Sequence, residues 1–178
     1  MGYSIGSSDH LKEIVERHSY EKFMRIALEE AEKSANEGNQ GVGSVILRGG
    51  TREIIGRGRN LENTTHDPTA HAESMAIRNH ASLFPGPETQ RSWDQYFSDP
   101  PSLSGAMLFS TFEPCPMCCG AILATGISTL ILGGRPKSGT SRWGDYTLER
   151  LVELTDRHNE VEIITGVLSN ECFDIRNA

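Results

Sequence analysis

The tripeptide His71-Ala72-Glu73 and the string Pro114-Cys115-Pro116-Met117-Cys118, about forty residues further on, constrain this chain more than any other feature. Together they offer one imidazole, two thiolates and one carboxylate. Any fold that uses them must bring two distant segments to one point. Three strong ligands occupy three corners of a tetrahedral zinc ion and leave the fourth to water, whereas a structural zinc is closed by four protein ligands. His71, Cys115 and Cys118 are therefore the candidate metal ligands. Cys115 and Cys118 stand three apart at the start of an expected helix, so one ion can meet both. The open N–H groups and dipole of such a helix start favour the thiolates that a zinc ligand requires.

Glu73 is two residues from His71, a spacing that does not place both side chains on one helix face. Glu73 is thus expected to stand beside the metal as the catalytic carboxylate. There it takes a proton from a water that the ion acidifies toward a pKa of about 7. It then hands protons to a ring nitrogen and to the departing amine. The spacing H-x-E…P-C-x-x-C resembles the signature of zinc-dependent base deaminases, and that resemblance implies hydrolytic deamination with a metal-prepared nucleophile. A structural zinc would need a fourth donor. Cys119 points to another face than Cys118 and is expected to be a buried, inert thiol, which leaves Cys172 as the other available sulfur.

At 178 residues the chain suits one domain with a substantial core. Lys and Arg total 17 against 24 Asp and Glu, a net charge of −7, which argues against a phosphate-gripping surface. Three of the four cysteines crowd into five positions, a pattern of metal binding in a reducing compartment. A cytoplasmic protein is expected. No stretch approaches the roughly 18 apolar residues of a membrane span, and MGYSIGSSDH lacks the features of a secretory signal.

Residues 1–19 read as an N-terminal arm or short lead-in helix, and residues 20–178 as a single domain. Phe23, Ile26, Ala27, Ala31 and Ala35 predict a helix from Tyr20 to about Gly38. Strands are expected at 42–47 and 53–58 around Gly49-Gly50. Asp67-Pro68 reads as the cap and first turn of a helix running to Ser82. Residues 84–105 form a long, aromatic insertion carrying Trp93, Tyr96 and Phe97. A β-α-β-α-β run follows: a strand at 106–111, a helix at 115–125, a strand at 128–132, a helix at 145–156 and a strand at 161–167. A short terminal helix closes the chain. The helical connection makes the last two strands parallel.

The segments DPTAHAESMAI (67–77) and EPCPMCCGAIL (113–123), with 41–47 and 56–60, resemble the cytidine deaminase superfamily. The similarity is greatest to its guanine deaminase, tRNA adenosine deaminase and fungal cytosine deaminase branch, and covers roughly residues 20–170. It implies an α/β fold of three layers, a mixed five-stranded sheet between helices. It also implies a homodimer, zinc held by His71, Cys115 and Cys118, and Glu73 as proton shuttle. Asn60 would bond the base, the Ala72 N–H would contact the ring, and the Glu113 carbonyl would accept from the amine. Without the resemblance, Asn60 reads as a turn residue and His66 as a loop residue.

Three features direct the substrate expectation toward a free nucleobase or nucleoside, such as guanine or cytosine, with tRNA not expected as a partner. The segment GGRPKSGTSRWGD (133–145) matches the tRNA enzymes only in part. The insertion is acidic, and the chain lacks a long basic final helix. Trp93, Phe97 or Trp143 would close the site over a small substrate, or else pack in loops or an interface. A tRNA adenosine deaminase is the alternative, and a non-catalytic zinc-stabilised scaffold is the alternative from another class.

Overall fold

A computed structural model describes residues 8–83, 92, 103–137 and 140–177. Helix α1 (Ser8–Asn36) leads into strands β1 (Gly43–Leu47) and β2 (Ile54–Arg59). One turn of helix, α2 (Glu62–Thr65), precedes α3 (Ala72–Leu83). Then come β3 (Met107–Phe112), α4 (Pro116–Thr125), β4 (Thr129–Gly134), α5 (Leu148–Leu154), β5 (Glu162–Ile164) and α6 (Ser169–Arg176). The lead-in to Tyr20 is itself helical from Ser8, continuous with the expected helix.

The strands order as β2-β1-β3-β4-β5. β1 runs antiparallel to β2 and to β3, while β3–β4 and β4–β5 are parallel. Both faces of this mixed five-stranded sheet are covered, so its central strands read as nearly unbroken apolar runs. Alternation along each strand divides the core in two. Ile46, Leu108, Leu130 and Leu132 face α3, α4 and α5, joining Ala76, Ile122 and Leu148. Val45, Leu47, Phe109 and Ile131 face α1 and α6, joining Met24, Ala27 and Cys172. The result is the three-layer arrangement expected from the sequence.

One glycine fixes how closely a helix carrying the site can lie. A Cβ on Gly58 of β2 would overlap the Ala72 carbonyl and the Ala76 nitrogen. The bare backbone lets α3 settle onto the sheet, and α3 begins one residue after His71.

Asp67-Pro68 does not open α3. Asp67 Oδ1 accepts from the Thr69 N–H at 2.8 Å and from Thr69 Oγ1 at 2.7 Å, and the Ala70 N–H reaches the Asp67 carbonyl at 3.1 Å. The Asp side chain is spent on its own turn, and the helix starts five residues later, at Ala72. Most of the 84–105 insertion, with Trp93, Tyr96 and Phe97, lies outside the described residues. Among the described residues no helix is long and apolar enough to cross a membrane.

Candidate active site

Two helix starts meet at the site. The His71 carbonyl accepts the first bond of α3, from Met75 N at 2.9 Å, and the Cys115 carbonyl accepts the first of α4, from Cys119 N at 2.9 Å. Both residues therefore stand at N-cap positions, beside N–H groups that the helices leave open. Cys115 has extended backbone (φ −68°, ψ 168°), and Pro116 follows at the first helical position, where its missing N–H costs nothing. Because α4 follows a strand that runs parallel to β4, its start lies at the carboxyl edge of that part of the sheet, where α/β folds place ligands.

His71, Cys115 and Cys118 each present a ligand atom, all within 4.8 Å of one another. His71 Nδ1 lies 3.4 Å from Cys115 Sγ. Zinc bonded at about 2.0 Å to nitrogen and about 2.3 Å to sulfur, with tetrahedral angles, would set these atoms roughly 3.5 Å apart. Among the described residues this is the one such cluster of His, Cys, Asp or Glu. Neither remaining thiol joins it as a fourth donor. Cys119 is buried in the core on the α4 side, and Cys172 in the core on the other side of the sheet. Burial pushes their thiols up, to about 11 and about 12.

The protein groups alone make an unbalanced site. Hydrogen bonding from Cys118 and His71 holds Cys115 down at about 4, while the same partner, burial and the Glu73 charge push Cys118 up. The two sulfurs are thus one interacting pair, pulled in opposite directions. The Cys115 sulfur also raises His71, and burial raises the carboxyl of Glu73. Acids crowded together in this way form a donor set that a dication relieves, and softness and geometry both suit zinc.

Glu73 is 3 % exposed. Its Oε1 lies 2.7 Å from Ser110 Oγ, which also lies 2.7 Å from the Phe112 carbonyl. Ser110 has one proton for two acceptors, so both contacts are satisfied together only when Glu73 carries a proton. When Glu73 is ionised, the Ser110 hydroxyl can turn and donate to it.

Asn60, His71, Ala72, Glu73, Glu113 and Cys115 all line one cavity of about 470 Å³. Asn60 is buried, and its amide is engaged: Nδ2 donates to Glu62 Oε2 at 2.7 Å and Oδ1 accepts from the Glu62 N–H at 3.0 Å. The Glu113 side chain does structural duty. It accepts from the Leu148 N–H at 3.0 Å, with Arg135 at 3.9 Å. Trp143 lines the cavity at 45 % exposure.

Sequence reasoning missed Glu62 and Arg176. Glu62 Oε1 lies 3.4 Å from His71 Nε2, the outer-shell carboxylate that orients a ligating imidazole. The segment around it reads as a polar loop, and the turn of α2 that aims Glu62 leaves no apolar period to detect. Arg176 comes from the final short helix and also lines the cavity.

Residues 17–134 match the cytidine and deoxycytidylate deaminase zinc-binding region, and the chain belongs to that family of zinc-dependent hydrolytic deaminases. It is 33 % identical over 159 residues to a tRNA-specific adenosine deaminase of Bacillus subtilis, covering 89 % of this chain and 86 % of the relative. It is 38 % identical over 158 residues to a tRNA-specific adenosine deaminase of Haemophilus influenzae, covering 85 % and 78 %. A solved structure from work on A-to-I editing by tRNA:A34 deaminases at the wobble position superposes with a TM-score of 0.68. Its identity is 27 %, over 86 % of this chain and 98 % of that one.

These relatives overturn the expectation of a free nucleobase or nucleoside as substrate, and with it the dismissal of tRNA and the placing of the chain in nucleobase metabolism. The net charge misled because a total of −7 says nothing of where individual cations sit. Lys137, Arg142 and Arg176 all line the cavity of the candidate site.

Proposed function

We propose that this chain is a tRNA adenosine deaminase that converts adenosine to inosine by hydrolysis, releasing ammonia. The observation that carries the reading is the 33 % identity across 159 residues to a tRNA-specific adenosine deaminase. A cavity of about 470 Å³ lined by Glu73 and two of the three clustered donors supports it, being in the range of small-ligand sites. An adenosine must leave its stack to enter such a cavity, so the reading calls for an unpaired nucleotide.

His71, Cys115 and Cys118 would hold zinc. When bound there, zinc supplies the Lewis acidity that brings the pKa of a water toward about 7. The chain's own groups do the rest. Glu73 takes one proton of the attacking water and delivers it to the ring nitrogen next to the amine-bearing carbon, then carries the second, from the newly added hydroxyl, to the departing amine, which leaves as ammonia. Ser110 holds the Glu73 carboxylate in either protonation state through its two contacts. The Ala72 N–H, at the open start of α3, and the Glu113 carbonyl would position the base. Asn60 would contribute its amide to the base after exchange with Glu62. The family expectation of a homodimer and the cysteine pattern of a reducing cytoplasm complete the reading.

The test is ammonia release from a tRNA anticodon stem-loop with an unpaired adenosine, followed by detection of inosine in the product. Turnover of free adenosine or guanine with no inosine in the RNA would overturn it.

A further inference from the structure

Among the described residues most arginines lie within 4.0 Å of a carboxylate. Arg59 lies against Glu37 at 2.8 Å and Glu30 at 3.7 Å, and Arg135 against Glu149 at 2.6 Å. Lys137, Arg142 and Arg176 line the active cavity, and among the described residues none of them has a carboxylate within 4.0 Å.

Arg176 is the most constrained of the three. Its guanidinium lies over the Phe112 ring, 4.4 Å from the centroid. With the Gln40 amide turned so that its oxygen faces the arginine, that oxygen accepts from Nη2 at 2.8 Å and from Nη1. Nε is buried with no hydrogen-bond partner. Burial and the charge of Arg142 pull Arg176 below its ordinary range, against the opposing pull of the Glu62 carboxylate. An arginine that is half out of water, faces a like charge, touches no carboxylate directly among the described residues and keeps an idle donor is ready to take an anion in contact. Phe112 leads directly into Glu113-Pro114-Cys115, so the stacked guanidinium is fixed close to the candidate ligands. Arg142 lies over Trp143, 4.7 Å from the ring centre. A planar guanidinium fork matches phosphate oxygens.

We propose that Arg176 and Arg142 form a phosphate subsite at the active cavity, so that the substrate is a nucleotide whose phosphate they grip while its base faces Glu73. The inference rests on the deaminase reading for the reaction, and takes the ligand's chemistry from the arginines themselves. The phosphate can belong to a mononucleotide or to an RNA strand.

The experiment titrates zinc-loaded protein with a labelled RNA stem-loop bearing an unpaired adenosine, across a series of KCl concentrations. Adenosine, AMP and inorganic phosphate serve as competitors. Arg176→Gln and Arg142→Gln are each expected to weaken binding about tenfold and to lower the salt slope by about one. AMP should compete better than adenosine against wild type, and this advantage should vanish in Arg176→Gln. Arg142 is exposed, so its variant keeps the test decisive if Arg176→Gln folds poorly. Unchanged salt slopes in the folded variants, or AMP no better than adenosine, would overturn the subsite. Ammonia release by wild type separates the two readings. Release from the stem-loop with unchanged slopes leaves the RNA reading and removes the subsite. Release from AMP alone, dependent on both arginines, leaves the subsite and removes the RNA reading.

Discussion

Glu62 Oε1 stands 3.4 Å from His71 Nε2, while the other ring nitrogen, Nδ1, faces Cys115 Sγ at 3.4 Å. The imidazole is thus held from behind, in the tautomer that leaves Nδ1 free to ligate. Glu62→Gln keeps the shape and removes the charge. It should weaken zinc affinity about tenfold to a hundredfold, read by competition with a chromogenic chelator. An unchanged affinity would show that the contact does not orient the ligand.

Glu73→Gln separates holding the metal from moving the proton. The variant should keep about one zinc per chain, by metal analysis, because the carboxylate is outside the three-donor cluster. Its turnover should fall by at least about a hundredfold, the usual contribution of a positioned acid-base group. Near-normal ammonia release would remove Glu73 from the chemistry.

Stripping the metal should cost stability as well as activity, since binding to the folded site alone adds to the folding free energy. For zinc about a thousandfold above its dissociation constant the linkage is about 4 kcal/mol. In a domain of this size that corresponds to roughly 10 °C in Tm. Calorimetry before chelation, after it and after zinc return should show the loss and its reversal. Cys118→Ala should sit at the low value throughout.

Gly58→Ala should destabilise, because its new Cβ meets the backbone of α3 at Ala72 and Ala76. Overpacking of this kind costs about 1–3 kcal/mol, and the shift of α3 should weaken zinc binding too. Gly120 lies in α4 with nothing within 4 Å of an added Cβ. Gly120→Ala should therefore be neutral or slightly stabilising, by up to about 1 kcal/mol, in a urea titration run on both variants.

The fork between Arg59 and Glu37, two contacts of 2.8 Å, holds the Glu37 carboxyl below its ordinary value of 4.5. A carboxyl lowered in the folded state stabilises at neutral pH and loses that contribution as pH falls through its folded value. Arg59→Met should therefore lose stability at neutral pH and match wild type more closely in acid. The effect will be small, as the pair is exposed. Parallel urea curves at both pH values would check it.

The motifs around His71 and Cys115 exposed the donors in the sequence because metal chemistry restricts residue type and spacing together. Apolar runs did the same for β1, β3 and β4, buried on both faces. Asp67-Pro68 was misleading because a capping residue and a turn residue are the same residue, and only Thr69 decided between them. Glu62 was silent, being one acid among many until a turn of helix aimed it. Arg176 was hidden more deeply: its meaning depends on Phe112 and Gln40, which are far from it along the chain and adjacent only once α6 has packed. The substrate was misjudged from a partial match at 133–145, an acidic insertion and the lack of a long basic final helix, alongside a net charge that carries no position.

The separation of forty-four positions from His71 to Cys115 orders events during synthesis. When the imidazole leaves the ribosome, neither sulfur has yet been made. Nor can the two helix starts converge until β3 is laid alongside β1. A matched coordination shell therefore exists only once β3 has joined β1, and loading of the ion marks a chain that has passed that step, with β4 and β5 still free to add.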